Sequence, residues 1–301
     1  MDSRGDIREF LTTRRARLTP EQAGLPNFGG RRRVPGLRRE EVALLAGMSV
    51  EYYVRLERGN GAGVSESVLD GISRALHLDD AEHAHLYDLV SAANEGTRAT
   101  RRRKPTGQQQ VRPNVQQTLD AMYHVPAIVQ NGRLDVLAAN RLGFAVFSEM
   151  YAEPQRPANF GRFVFLDPRA QTLYVDWEDA AQQTVALLRS EAGRAPYDRA
   201  LSELVGELAT RSGIFRELWG SHDVREHRTG LKRIHHPVVG DIELTYEGMN
   251  LTSDRGLLLL AYTAKPGSPS HERLQLLASW AATSDEAART LPTHTGAADD
   301  A

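Results

Sequence analysis

Arg38 to Gly59 reads RREEVALLAGMSVEYYVRLERG. Two short helices joined by a tight turn satisfy this pattern. In Arg39 to Ala46, Val42, Leu45 and Ala46 share one face at helical spacing. Glu40 and Glu41 occupy the first turn, where the helix dipole favours acids. Gly47 can take the left-handed conformation that ends a helix, and Ser49 can cap the next one. Val50 to Arg58 then sends Tyr53, Leu56 and Glu57 to one side and Val50, Glu51, Tyr52 and Arg55 to another, before Gly59 closes it. Ala43 is small where two crossing helices must approach. The spacing predicts a helix-turn-helix, whose second helix can lie in a DNA major groove. An ordinary helical hairpin shares the amphipathic pair and the glycine. Capping, spacing and the terminal Glu-x-Gly together favour DNA.

The same string resembles the XRE class of lambda-repressor-like domains. Ala43, Gly47, the spacing of Tyr53 and Leu56, and the Leu56-Glu57-Arg58-Gly59 ending carry the resemblance. Helical phase and matching positions in that pattern put Val50, Glu51, Tyr52 and Arg55 toward base edges. They put Arg39 and Arg58 on phosphates, with Ser49 at the start of the recognition helix. Leu25 to Gly36 is a loop rich in glycine and proline that carries Arg31, Arg32 and Arg33. These three are expected to touch phosphates or a minor groove, although a solvated charged loop would read the same.

The chain has 301 residues, 41% of them hydrophobic, enough for about two domains. The absence of cysteine excludes disulfides and thiolate metal sites and suits a reducing cytoplasm. No basic-then-apolar leader and no run of about 18 apolar residues occur, so a cytoplasmic protein without membrane attachment is expected. The net charge of -2 hides an asymmetry: residues 1–104 carry 18 Lys and Arg against 15 Asp and Glu, the remainder 19 against 24.

Five helices are expected in residues 1–95, an all-α domain. The first, Asp2 to Arg17, buries Ile7, Phe10 and Leu11 and leaves Arg14, Arg15 and Arg17 outside. The last two run from Ser65 or Ser67 to Leu76 and from Asp79 to about Ala93. His83 and His85 lie two apart on a helix and cannot share an ion, so no metal is expected. Residues 96–112 form a basic linker. Residues 113–283 begin with a helix near Val115. Asn131-Gly132 between two alternating apolar runs then signals a type I′ hairpin. Asn140 caps a helix, and long helices follow at Asp176 to Ala192 and Asp198 to Ser212. Strands are expected at Val224 to Arg228, Leu231 to His236, Ile242 to Leu251 and Leu257 to Thr263, with a last helix at Ser268 to Ala282. This half is α+β, an antiparallel sheet with helices on one face. Residues 284–301 read as a disordered tail.

A hairpin that runs into Ala139-Asn140 and a helix resembles the opening of PAS-type sensor domains. The two halves together resemble the MmyB-like transcription regulators over about residues 5–282. The marks are Gly36 to Ala43, Asn140, Asp176-Trp177 and the strand from Lys232 to Gly240. That resemblance implies a PAS-like ligand-binding domain with a fatty-acid-like effector in an apolar pocket, and no other cofactor. Phe144, Phe147, Phe163, Phe165, Trp177, Leu187 and Tyr246 are candidates for its lining, although each reads more readily as plain core. Arg141, Arg233 and His236 are candidates for the head group. A homodimer on double-stranded operator DNA is expected, because XRE domains read paired half-sites. No nucleophile elbow, phosphate loop or dinucleotide fingerprint is present, and the acid pairs sit at helix starts, so no enzyme is expected. The alternative is an XRE-type protein whose second domain only dimerises or holds a protein partner, as an antitoxin does.

Overall fold

The computed structural model describes residues 3–25, 36–95, 110–152, 157–220, 229–254 and 256–290. Arg31, Arg32 and Arg33, most of the basic linker and the strand expected at Val224 to Arg228 lie outside the described residues.

Five helices form the N-terminal domain: α1 Ser3–Arg17, α2 Arg39–Leu45, α3 Val50–Glu57, α4 Glu66–Ala75 and α5 Asp80–Glu95. The turn between α2 and α3 is built as its residues dictate. Arg38 N–H donates to the Glu41 carboxylate at 2.6 Å and starts α2. Gly47 sits at φ +69 and ends it. Ser49 Oγ then accepts from Tyr52 N–H at 3.1 Å and caps α3. Gly59 lies at φ +88, and a Cβ there would stand 2.3 Å from the Arg4 carbonyl oxygen, so the start of α1 lies directly against the end of α3. Ile7, Phe10, Leu11, Val42, Ala43, Tyr53 and Leu56 fill one core with the inner faces of α4 and α5.

Two arginines expected outside are inside. Arg14 is 3% exposed, paired with Glu82 at 2.7 Å and lying over the Phe10 ring. Arg15 pairs with the buried Glu57 at 2.7 Å. A guanidinium can be buried once a carboxylate answers its charge, and the partners come from other helices that the local pattern cannot display.

The C-terminal domain is α+β. In chain order it contains α6 Pro113–Asp120, β1 Ala127–Asn131, β2 Asp135–Ala139, α7 Arg141–Val146, α8 Ser148–Tyr151, β3 Ala158–Asn159, α9 Phe160–Leu166 and α10 Arg169–Leu173. It continues with α11 Trp177–Arg194, α12 Arg199–Arg211, α13 Gly213–Gly220, β4 Thr229–His236, β5 Gly240–Asn250, β6 Leu257–Thr263 and α14 Pro269–Thr290. The strands form one curled antiparallel sheet in the order β3-β2-β1-β6-β5-β4. Alternation turns Ile128, Ile234, Ile242, Leu244, Tyr246, Leu260 and Tyr262 into the main core beneath most of the helices. The other face is not bare. Leu119 of α6 covers Ala127, Val129, Leu257 and Leu259 there, so helices lie on both faces.

The Asn131-Gly132 turn also differs from expectation. Asn131 still pairs with Leu257 in the sheet, and the chain reverses over Asn131 to Leu134, closed by Leu134 N–H donating to Asn131 O at 3.0 Å. The left-handed residue is Leu134, at φ +65, not Gly132. A Cβ at Gly132 would lie 2.1 Å from the Glu191 carboxyl, the far end of a flexible side chain that can give way. At the other end, α14 runs on to Thr290, past the expected Ala282. Glu286-Ala287-Ala288-Arg289 are good helix formers and simply extend it.

The domains meet through α5 and α11. A Cβ at Gly193 would lie 2.6 Å from the His85 ring, and Arg194 approaches Asp88 at 3.8 Å. His85 in turn stands edge-on to Phe10, with ring centroids 5.2 Å apart. The end of α11 therefore rests on the core of the helix-turn-helix domain.

Candidate functional site

The α3 helix divides as its periodicity demands. Tyr53, Leu56 and Glu57 are buried, and Val50, Glu51, Arg55 and Arg58 are exposed. Val50, Glu51, Val54, Arg55, Arg58 and Asn60 line one shallow concave surface. Four of these six were expected from the sequence. Val54 and Asn60 were missed, because Asn60 lies beyond the helix and Val54 sits at the edge of its apolar stripe. Tyr52 stands beside this surface, with the Arg55 guanidinium 4.9 Å from its ring centroid. Ser49 is exposed and serves as the cap described above.

Arg39 is half exposed, but its Nε is held by Glu57. Glu57 is 1% exposed and receives Arg15 as well, so one buried carboxylate ties α1, α2 and α3 together. Burial, with Glu57 beside it, pushes the Tyr53 phenol well above its ordinary range. Arg39 thus reaches the surface as a tethered cation, and Arg55 and Arg58 stand with it on the exposed side.

In the C-terminal domain a small cavity lies between β1, β4, β6 and the helices α9 to α11. Its volume is ≈ 20 Å³, room for about one or two waters. Gln130, Leu134, Phe160, Val164, Tyr174, Thr184, Leu187, Lys232 and Tyr262 are on its wall. A larger crevice of ≈ 670 Å³ adjoins it and shares Gln130, Leu134 and Leu187. Lys232 Nζ lies 5.4 Å from the Tyr174 ring centroid and 5.6 Å from that of Tyr246. Burial lowers its pKa from 10.5 to about 8. Burial likewise raises the Tyr174 and Tyr262 phenols above their ordinary value.

The expected pocket residues fall into three groups. Leu187 lines the cavity, and Tyr246 stands behind it against Lys232 and Tyr262. Phe147 and Phe163 form the layer behind, Phe147 against Phe160 and Tyr262, Phe163 against Tyr174. Phe165 and Trp177 pack on each other, Phe165 also on Phe215, and Trp177 Nε1–H donates to Val164 O at 3.0 Å. Phe144 points outward, 47% exposed, against Tyr151. Its neighbours Leu142, Ala145 and Val146 take the buried face of α7.

None of the three head-group candidates reaches the cavity wall. Arg141 is exposed. Arg233 faces out and pairs with Asp176, its Nε 2.6 Å from Oδ2. His236 is buried, with Nε2 2.9 Å from Ala145 O, while Nδ1 accepts from Val238 N–H at 3.2 Å. That arrangement makes Nε2 the donor, and burial holds the ring's pKa below its usual value. The cation on the wall is Lys232, one residue from Arg233. Successive strand residues point to opposite faces, so Lys232 shares the inner side with Ile234 and His236. The parity of Ile234 was the signal that could have found it.

Among the described residues no helix is long and apolar enough to cross a membrane, and no cluster of His, Asp and Glu could hold a metal ion. The search of curated proteins found no match. Two family descriptions do match. Residues 6–86 match a helix-turn-helix domain, and residues 111–277, more than half of the chain, match the MmyB-like transcription regulator ligand binding domain. With the capped α2–α3 pair in the first and a walled cavity in the second, the chain belongs to the MmyB-like transcription regulators, a DNA-binding helix-turn-helix domain followed by a ligand-binding domain.

Proposed function

We propose that this regulator reads a specific operator through α3, as a cytoplasmic homodimer on paired half-sites, and that a small apolar, fatty-acid-like ligand in the C-terminal domain changes its DNA affinity. It carries out no reaction of its own. The observation that supports this reading is the path of α11. Its residues Ala180, Thr184 and Leu187 line the cavity, and Gly193, at its far end, lies against His85 of α5. One helix therefore borders the ligand space and the DNA-binding core. A ligand that shifts α11 acts on α5 through a rigid, close-packed contact.

The test uses the full chain and an operator selected from random-sequence DNA, with affinity read by fluorescence anisotropy. Arg55→Ala should cost about 1–3 kcal/mol on the selected site and relax one base preference. Equal loss on every sequence would make Arg55 a phosphate contact instead. Added dodecanoate should change operator affinity by about 5–150-fold, the usual range of coupling between sites. No change with any apolar ligand would favour the alternative, a C-terminal domain that only dimerises or holds a protein partner.

A further inference from the structure

Several cations of the C-terminal domain are answered by carboxylates. Arg133 has Asp135 and Asp198, Arg162 has Glu207, Arg169 has Asp167, and Arg233 has Asp176. Lys232 contacts the ring faces of Tyr174 and Tyr246, and among the described residues no carboxylate approaches it. Ring faces hold an ammonium in place but do not neutralise it. A second group on the same wall is also unanswered. The Tyr262 side chain is fully buried, lines the cavity, and its hydroxyl has no hydrogen-bond partner among the described residues. Buried polar groups are normally paired, and the other polar groups on this wall, Gln130, Tyr174, Gln183 and Thr184, are neutral, so an ammonium and an unpaired phenol there suit an anionic acceptor.

We propose that Lys232 Nζ and the Tyr262 hydroxyl form the head-group site of the effector and hold its carboxylate. This rests on the reading of the domain as the receptor of a fatty-acid-like ligand, and it adds which residues hold which end. A carboxylate only accepts, and here it meets an ammonium with three donors and a phenol with one. Charge-assisted hydrogen bonds of this kind are the strong ones. A cationic ligand is excluded by Lys232, and a neutral alcohol leaves its charge uncompensated. The apolar body lies against Leu134, Phe160, Val164 and Leu187. Because the present cavity holds only about one or two waters, the ligand enters by displacing side chains. Gln130, Leu134 and Leu187 line both the cavity and the outer crevice, so a ligand entering from the crevice displaces these side chains.

The experiment is calorimetric titration of the full chain with octanoate, decanoate and dodecanoate and with the alkan-1-ols of the same lengths. The carboxylates should bind about tenfold to a hundredfold more tightly than the alcohols, the equivalent of one charged hydrogen-bonded contact. Lys232→Met should abolish that preference, and Lys232→Arg should keep most of it. Tyr262→Phe removes only an unpaired hydroxyl, so it should leave the fold intact and weaken the carboxylates several-fold, by about one neutral hydrogen bond. Acids and alcohols of equal affinity, or a preference that survives Lys232→Met, would overturn the head-group assignment and leave the apolar ligand standing. If neither series binds at any length, the fatty-acid-like ligand falls and the head-group site falls with it.

Discussion

Glu57 lies buried in one domain and Lys232 half-buried in the other, and their charges meet opposite surroundings. Glu57 sits where α1, α2 and α3 converge and receives Arg15 and Arg39. Lys232 sits where β4 faces α10 and α11 and receives two tyrosine ring faces. The first arrangement is complete within the chain. Its carboxylate is answered twice over, the three helices are tied, and α3 keeps a rigid exposed side. The second is incomplete, because desolvation of the ammonium is offset only by the rings. A scaffold closes its electrostatics internally, whereas a receptor keeps a charge for something outside itself.

The strongest way to break this comparison is Glu57→Ala. It leaves Arg15 without its carboxylate in a largely buried site while Arg39 is half exposed, and breaking a buried pair by removing one partner costs up to about 3–5 kcal/mol. The N-terminal domain should lose its cooperative urea transition while the C-terminal transition holds its midpoint. A loss under about 1 kcal/mol would mean that Arg15 and Arg39 reach water, as in a surface pair, and that the node is not a strut.

Gly193→Leu attacks the contact through which the two domains meet. The new side chain collides with the His85 ring, and overpacking of this kind costs about 1–3 kcal/mol. Ligand-dependent change in DNA affinity should shrink while ligand binding alone persists. Coupling that survives intact would show that α11 is not its route.

Lys232→Met sharpens the other side of the comparison. Without ligand at pH 7, removing an unanswered charge in favour of an apolar side chain of similar length should stabilise the protein, by on the order of 1 kcal/mol. The pH profile makes the same point. The pKa of Lys232 is about 8 when folded and 10.5 when unfolded. Between those values the unfolded chain binds the extra proton, so stability rises with pH across that window. Tyr174 and Tyr262 act in the opposite sense. Their folded pKa values are raised above 10, so from about pH 10 upward the unfolded phenols ionise first and stability falls. Chemical denaturation from pH 7 to 11 should therefore show a rise and then a fall, and Lys232→Met should lack the rise. A flat native profile between pH 8 and 10 would put Lys232 in water and remove the contrast with Glu57.

The regular part of this protein was legible in its residues. The caps at Ser49 and Asn140, the left-handed Gly47 and the two faces of α3 depend on contacts within a few residues, and each stands where its chemistry requires. The cavity was less legible. Phe144 reads as apolar lining but falls on the outer face of α7, whereas Leu134 and Gln130, which read as hairpin, are on the wall. Arg233 reads as a free cation, but Asp176 lies 57 residues earlier in the chain.

By itself the sequence determined the two domain types, the buried and exposed faces of α3, and a strand alternation in β4 that, counted from Ile234, would have turned Lys232 inward and Arg233 outward. These follow from periods of 3.6 and 2 and from caps, all short-range. The tertiary structure alone decided which buried charges are answered, which helix joins the domains, and what surrounds Lys232. Pairing and desolvation depend on atoms brought together from distant segments, and no local pattern carries their positions.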